Sequence, residues 1–338
     1  MPTLPPYTYT GPVDCAIPPD VSKLKGKSVT GGMHCRPWTA KHTEWLGYIS
    51  TNGMGETTVH QFAEAGAYVT IADLNVERGE QVARELAPYV FPEPFNGSQW
   101  HFLFVRVFEA ALANSTSHGC DIVIANAGIS RASEDELWPL GDINCPPQKP
   151  ALNIVDVNLT GTIYTWKLAV HYFRKQPNTD DRDRCFYHHG DYLMANWQYT
   201  CTKYALRGLM RVARWTSWEQ GVRINYVAPC YIKSAIRSAA YEAELVAKGV
   251  EFAPPQDVAE CFMRIACDET INGHSFMITP RSVAKEGSKD ADMDDYDGKE
   301  GERYEHLRRT QEVQLRIIED RWVEGWSQGR TAEGGLKR

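Results

Sequence analysis

The chain has 338 residues, 43% of them apolar and 23% charged, which suits a buried core and excludes a disordered chain. Its 43 acidic and 36 basic residues leave a formal charge of -7 with no sustained basic patch, which argues against nucleic acid as the main partner. No run approaches the roughly 20 apolar residues that cross a bilayer, the start lacks a basic-then-apolar leader, and nine scattered cysteines form no C-x-x-C pair, so a cytoplasmic protein with free thiols is expected.

Residues 2–19 are rich in proline, which fixes φ and removes a donor, so residues 1–23 are expected to form an arm laid over the surface. Residues 24–280 carry the signals of one alternating α/β domain. Thr30-Gly31-Gly32 reads as the start of a phosphate-binding turn, continued only at Thr51-Asn52-Gly53-Met54-Gly55. Residues 33–50 between them read as an insertion that leaves the surface and returns. Its His34, Cys35, His42 and Glu44 match no strong zinc spacing, so no metal is expected.

Gly53, Met54 and Gly55 open a helix over 56–65, where backbone can approach a pyrophosphate and free amides can meet its charge. A β-rich run, 66–73, follows and ends in Asp73. A carboxylate there can accept both ribose hydroxyls of NAD and would repel a 2′-phosphate. The plainer reading is an aspartate that caps the next helix.

Phe102-Leu103-Phe104-Val105 reads as a third strand that runs into a helix at Phe108 without an intervening aspartate. Residues 121–128, ending Asn126-Ala127-Gly128, form an apolar run of the kind buried on both faces of a parallel sheet. Helical spacing fills 154–173 and 203–218, and 222–229, ending Ala228-Pro229, reads as a further strand. Tyr199 and Lys203 stand four apart at a helix start and so share a face. An ammonium there stabilises tyrosinate, which suits a phenol that moves protons near neutrality, although such pairs are commonly plain surface contacts.

Strands alternating with helices predict one doubly wound, mostly parallel sheet, a Rossmann fold. Residues 281–338 are expected to hold an acidic linker, 288–301, and a charged amphipathic extension, 302–322, that docks as a helix or joins a subunit contact.

Taken in order, Thr30-Gly31-Gly32 with Gly53-Met54-Gly55, Asp73, Asn126-Ala127-Gly128, Asn158 in Val157-Asn158-Leu159-Thr160-Gly161, Tyr199 with Lys203, and Ala228-Pro229 resemble the classical short-chain dehydrogenase/reductase family across about residues 24–280. Gly208-Leu209-Met210-Arg211 with Thr216-Ser217-Trp218 is similar to its fungal secondary-metabolite and prostaglandin-type alcohol dehydrogenases. The resemblance implies an NAD(H)-dependent oxidoreductase that interconverts a secondary alcohol and a ketone, on a bulky hydrophobic or aromatic secondary metabolite, as a homodimer or homotetramer. It implies Tyr199 as acid and base, Lys203 as the binder of the nicotinamide ribose, and Asn158 as the holder of a water in the proton path. It sets Gly31, Gly53, Met54, Gly55, Asp73, Asn126, Ala127, Gly128, Pro229, Ile232 and Ser234 along the cofactor, with Tyr199 and Lys203.

The family also places a serine about a dozen residues before its tyrosine, whereas this chain has none between Ser133 and Ser217. Tyr187, His188 and Thr200 are the candidate replacement donors. The plainer reading is that the donor is lost, at a cost of about 3 kcal/mol in the transition state. The alternative function is therefore a catalytically impaired relative that binds a dinucleotide or a partner without turnover.

Overall fold

The sheet is built from short runs whose alternate side chains feed two separate cores. In the computed structural model, which describes residues 4, 11–31, 53–73, 75–94, 100–116, 118–129, 144–146, 149–176, 184–189, 197–217, 220–233 and 239–291, these runs form one eight-stranded sheet in the order β3-β2-β1-β4-β5-β6-β7-β8. The strands are β1 (Ser28–Gly31), β2 (Tyr68–Asp73), β3 (Val90–Pro94), β4 (Ile122–Ala125), β5 (Cys185–His189), β6 (Arg223–Pro229), β7 (Ser275–Ile278) and β8 (Ser288–Asp290). All pairings are parallel except the last, β7 with β8. The chain divides after Ala291, and every described residue belongs to the first unit.

The helices are α1 (Met54–Glu64), α2 (Val76–Glu85), α3 (Trp100–Asn114), α4 (Asn153–Val155), α5 (Gly161–Lys175), α6 (Trp197–Thr216), α7 (Ala239–Ala247) and α8 (Pro255–Cys267). None of the described helices is long and apolar enough to cross a membrane. On one sheet face Phe62 of α1 and Phe262 of α8 share a core with Ile71, Ile124 and Tyr187. On the other, Phe108 of α3, Phe173 of α5 and Met210 of α6 share one with Val123, Phe186 and Tyr226. Burial on both faces explains why β4 reads as a continuous apolar run, and β6, whose sequence alternates more, is buried throughout as well. This is the doubly wound Rossmann arrangement that the alternation of elements predicts.

Three expectations need correction. Residues 102–105 lie inside α3, and the third strand is β3, earlier in the chain. A short apolar run does not distinguish strand from helix, and Pro92 and Pro94 hide a strand that is tolerated because it lies at the sheet edge. The helix expected over 154–173 is interrupted by a π-helical turn, Asp156–Thr160, between α4 and α5. The acidic segment begins not as a linker but as β8, because buried Asp290 meets His274 Nδ1 at 2.7 Å and accepts the Val13 amide at 2.9 Å.

That last contact fastens the described part of the N-terminal arm to the sheet. Arg264 of α8 adds hydrogen bonds to the carbonyls of Cys15, at 2.7 Å, and Ile17. The expected insertion at 33–50 and the extension at 302–322 lie outside the described residues.

Candidate active site

Parallel α/β sheets bind ligands outside the carboxyl ends of their strands, at the point where strand order reverses. Here the reversal falls between β2-β1 on one side and β4-β5 on the other. Gly31 ends β1, Asp73 ends β2, and Asn126-Ala127-Gly128 leave β4 at that edge.

Gly53 caps the start of α1 with φ +62°, a conformation that an L side chain would strain, and offers no side-chain cap. Gly53 itself therefore puts no side chain over the first-turn amides of Met54 and Gly55. Gly55, in the first turn of α1, is buried and lines a small void with Asn126, Val29 and Phe262. Thr57 and Thr58 return their hydroxyls to the carbonyls of Gly53 and Met54 at 2.9 and 2.7 Å, which stiffens this first turn.

Asp73 is buried, and its Oδ1 accepts the Asn75 amide at 2.9 Å. The cap of α2 is Asn75, whose side chain takes the Arg78 amide at 3.1 Å, so the capping explanation for Asp73 falls to its neighbour. Arg78, the first basic residue after Asp73, donates its guanidinium to Glu56 in the first turn of α1.

The centre of the site is built around the π-helical turn. Asn158 is fully buried there; its Oδ1 accepts the Ile129 amide at 2.8 Å, and its Nδ2 donates to the Ile129 carbonyl at 3.0 Å and to Thr202 Oγ1 at 3.3 Å. Thr202 in turn donates to the Tyr199 carbonyl at 2.7 Å. One amide thus ties the segment after β4 to the second turn of α6. A Cβ placed on Gly128 would stand 3.4 Å from Asn158 Oδ1 and 3.5 Å from Lys203 Nζ, so the backbone passes close to both groups.

Tyr199 and Lys203 share a face of α6 as their spacing requires, with the ammonium 5.2 Å from the phenol ring centroid. Lys203 is buried and Tyr199 half-buried. Beneath them, Tyr226 of β6 donates its hydroxyl to the Lys203 carbonyl at 3.1 Å. The structure therefore brings Gly128, Asn158, Tyr199 and Lys203 together. Pro229 ends β6, with the next amide, Cys230, donating to the Ile278 carbonyl at 3.0 Å, and buried Ile232 bridges to Ala253. Ser234 lies outside the described residues.

Of the three candidate replacement donors, the strand geometry separates two. Tyr187 faces the α1 and α8 side, where its ring stacks on Phe262 at 4.9 Å. His188 takes the opposite face with Phe186, toward α6, and its ring meets Tyr226 edge-on at 5.1 Å. Thr200 is half-buried one residue along α6 from Tyr199, a step that turns it off the Tyr199 face. Burial, and after it the positive charge of Lys203, pushes the His188 imidazole down to about 3. Thr202 and Tyr226 carry no signal in a single sequence, because their roles come from contacts across the fold.

The short chain dehydrogenase family profile matches residues 50–245. A 5'-hydroxyaverantin dehydrogenase of Dothistroma septosporum is 28% identical over 313 residues, covering 84% of this chain and 92% of that protein. A 5'-hydroxyaverantin dehydrogenase of Emericella nidulans is 26% identical over 263 residues, covering 69% of this chain and 76% of the relative. Among solved structures, a 3-ketoacyl-(acyl-carrier-protein) reductase from Brucella melitensis, complexed with NADH, superposes with a TM-score of 0.58 at 18% identity, covering 75% of this chain and 97% of that one.

Proposed function

Because the chain belongs to the short-chain dehydrogenase family, we propose that it interconverts a secondary alcohol and a ketone with NAD(H), using Tyr199 as acid and base. The observation that carries this reading is the convergence of Tyr199, Lys203, Asn158 and the Gly128 backbone at the carboxyl edge of the sheet.

The residues present fit a dinucleotide. Gly53 supplies a helix start without a side chain, Asp73 a buried carboxylate at the end of β2, and Gly128 a backbone approach that a side chain would fill. When bound, the nicotinamide supplies or accepts the hydride. Asp73 favours NAD over NADP, since a 2′-phosphate there would meet its charge while Arg78 is engaged by Glu56.

The Tyr199 hydroxyl gives its proton to the carbonyl oxygen in reduction and takes it back in oxidation. Lys203, one helical turn on, stabilises the phenolate left behind and would hold the nicotinamide ribose hydroxyls. The side chain of Asn158 is taken up by Ile129 and Thr202, so it acts first by fixing residues 128–129 against α6. Its backbone carbonyl accepts the Thr162 hydroxyl at 2.8 Å, and in this reading Asn158 also holds a water in the proton path.

The substrate in this reading is a bulky hydrophobic or aromatic secondary metabolite, supported by the two relatives named for 5'-hydroxyaverantin. Exposed Ile163 of α5 and Tyr204 and Val212 of α6 support a homodimer or homotetramer formed through these helices, which sedimentation would test. A cytoplasmic location goes with the reading and is checked by cell fractionation. The second reading, a dinucleotide-binding relative with impaired turnover, draws on the lack of serine between Ser133 and Ser217.

The deciding experiment titrates NADH and NADPH, then runs a panel of ketones and secondary alcohols beside Tyr199→Phe. Turnover by the native chain that the substitution reduces by about 100-fold or more supports the enzyme. NADH binding with no turnover supports the second reading.

A further inference from the structure

His188 sits near the carboxyl end of β5, in register with Ala125 of β4 and Tyr226 of β6. It is fully buried, and neither ring nitrogen has a hydrogen-bond partner among the described residues. Burying a polar group without a partner costs free energy that an apolar residue of similar shape would not, so a partner is called for when the site is filled. The imidazole lies on the α6 face of the sheet and feels the charge of Lys203, whose carbonyl is held by the same Tyr226 that packs against the imidazole. Burial and that charge keep the ring neutral at physiological pH, which leaves it one N–H donor and one acceptor.

We propose that His188 is a substrate-binding residue of this site, its ring N–H donating to the alcohol or ketone oxygen that exchanges a proton with Tyr199. This rests on the alcohol dehydrogenase reading above and adds to it a second group on the reacting oxygen. The imidazole cannot act as the acid itself, because it carries no proton to spare. It orients the oxygen and stabilises the charge that builds on it, an effect of about 100-fold in rate for one well-placed donor. The competing account makes His188 an aromatic filler between Phe186 and Tyr226, and a phenylalanine would serve that purpose equally well.

The test uses the full chain with ring-15N histidine, and with His188→Phe and His188→Asn variants. NADH affinity is measured first, by fluorescence titration. Aromatic secondary alcohols from 1-phenylethanol to 1-(2-naphthyl)ethanol are then added to the NADH complex, where no turnover can occur. The His188 ring resonances, assigned by their loss in His188→Phe, are expected to shift on addition of alcohol. With 2-acetylnaphthalene as substrate, His188→Phe is expected to keep the native NADH affinity and lose about 100-fold in kcat, and His188→Asn, which restores a donor, to recover part of it.

Ring resonances that no alcohol moves in an NADH complex overturn the proposal while leaving the cofactor assignment standing, as does a His188→Phe variant with native kcat. Failure of the native chain to bind NADH overturns the dehydrogenase reading and this proposal with it. If His188→Phe does not fold, the resonances are assigned through His188→Asn and the alcohol titration decides.

Discussion

Gly128 and Lys203 approach so closely that a methyl group on the glycine would stand 3.5 Å from the ammonium nitrogen. The contact is permitted sterically, yet it would put an apolar group against a buried charge and fill the backbone approach proposed for the cofactor. Gly128→Ala is therefore expected to fold, with a melting temperature within a few degrees of the native chain, and to bind NADH about 10-fold more weakly. A titration showing native affinity would remove Gly128 from the cofactor site.

At the other end of that site, Asp73 governs which cofactor fits. The native chain is expected to prefer NADH over NADPH, and Asp73→Ser to narrow or reverse the preference by removing the charge that opposes a 2′-phosphate. Fluorescence titrations of both cofactors against both proteins check this, and equal affinities in the native chain would refute the role of Asp73.

His188 also makes stability depend on pH. Its folded value is pushed down to about 3, against about 6.5 for a solvated imidazole, so below pH 6.5 the unfolded chain binds a proton that the folded chain refuses. Stability from this source is full above pH 6.5 and is lost as pH falls toward 3, by up to about 1.4 kcal/mol per pH unit. Urea melts at pH 7 and pH 5 should therefore show a smaller acid loss in His188→Phe than in the native chain. Parallel losses in the two proteins would show that the imidazole is not held neutral.

Away from the site, Gly287 leaves no room for a side chain. Its φ is +71°, and a Cβ would fall 2.3 Å from the carboxylate of Asp257, which is buried at the start of α8 and bonded to Arg281 at 2.7 Å. Gly287→Ala should strain the backbone and displace the buried Asp257 carboxylate from Arg281, costing on the order of 2–4 kcal/mol. Thermal or urea melts measure it. A native melting temperature would mean that the turn relaxes without moving Asp257.

The elements legible in the sequence were those whose pattern is local. Residues 121–128 announce β4 through a continuous apolar run and 222–229 announce β6 through β propensity with more alternation, and the four-residue spacing of Tyr199 and Lys203 fixes their shared face as soon as α6 is helical. β3 was not legible, since two prolines argue against a strand unless its place at the sheet edge is known. Nor was β8, whose acidic composition suits a linker until Asp290 finds His274 and the Val13 amide across the sheet.

The same division runs through the candidate site. The chain alone specifies its Tyr199, Lys203, Asn158 and glycines, their order, and the alternation that makes a doubly wound sheet, because each follows from residue type and short-range period. Tertiary structure decided what surrounds them: Asn158 spent on Ile129 and Thr202, Gly128 drawn up to Lys203, and His188 rather than Tyr187 turned toward α6. Strand pairing and the π-helical turn set these contacts between residues far apart in the chain, and no local pattern of hydrophobicity or charge encodes such distances.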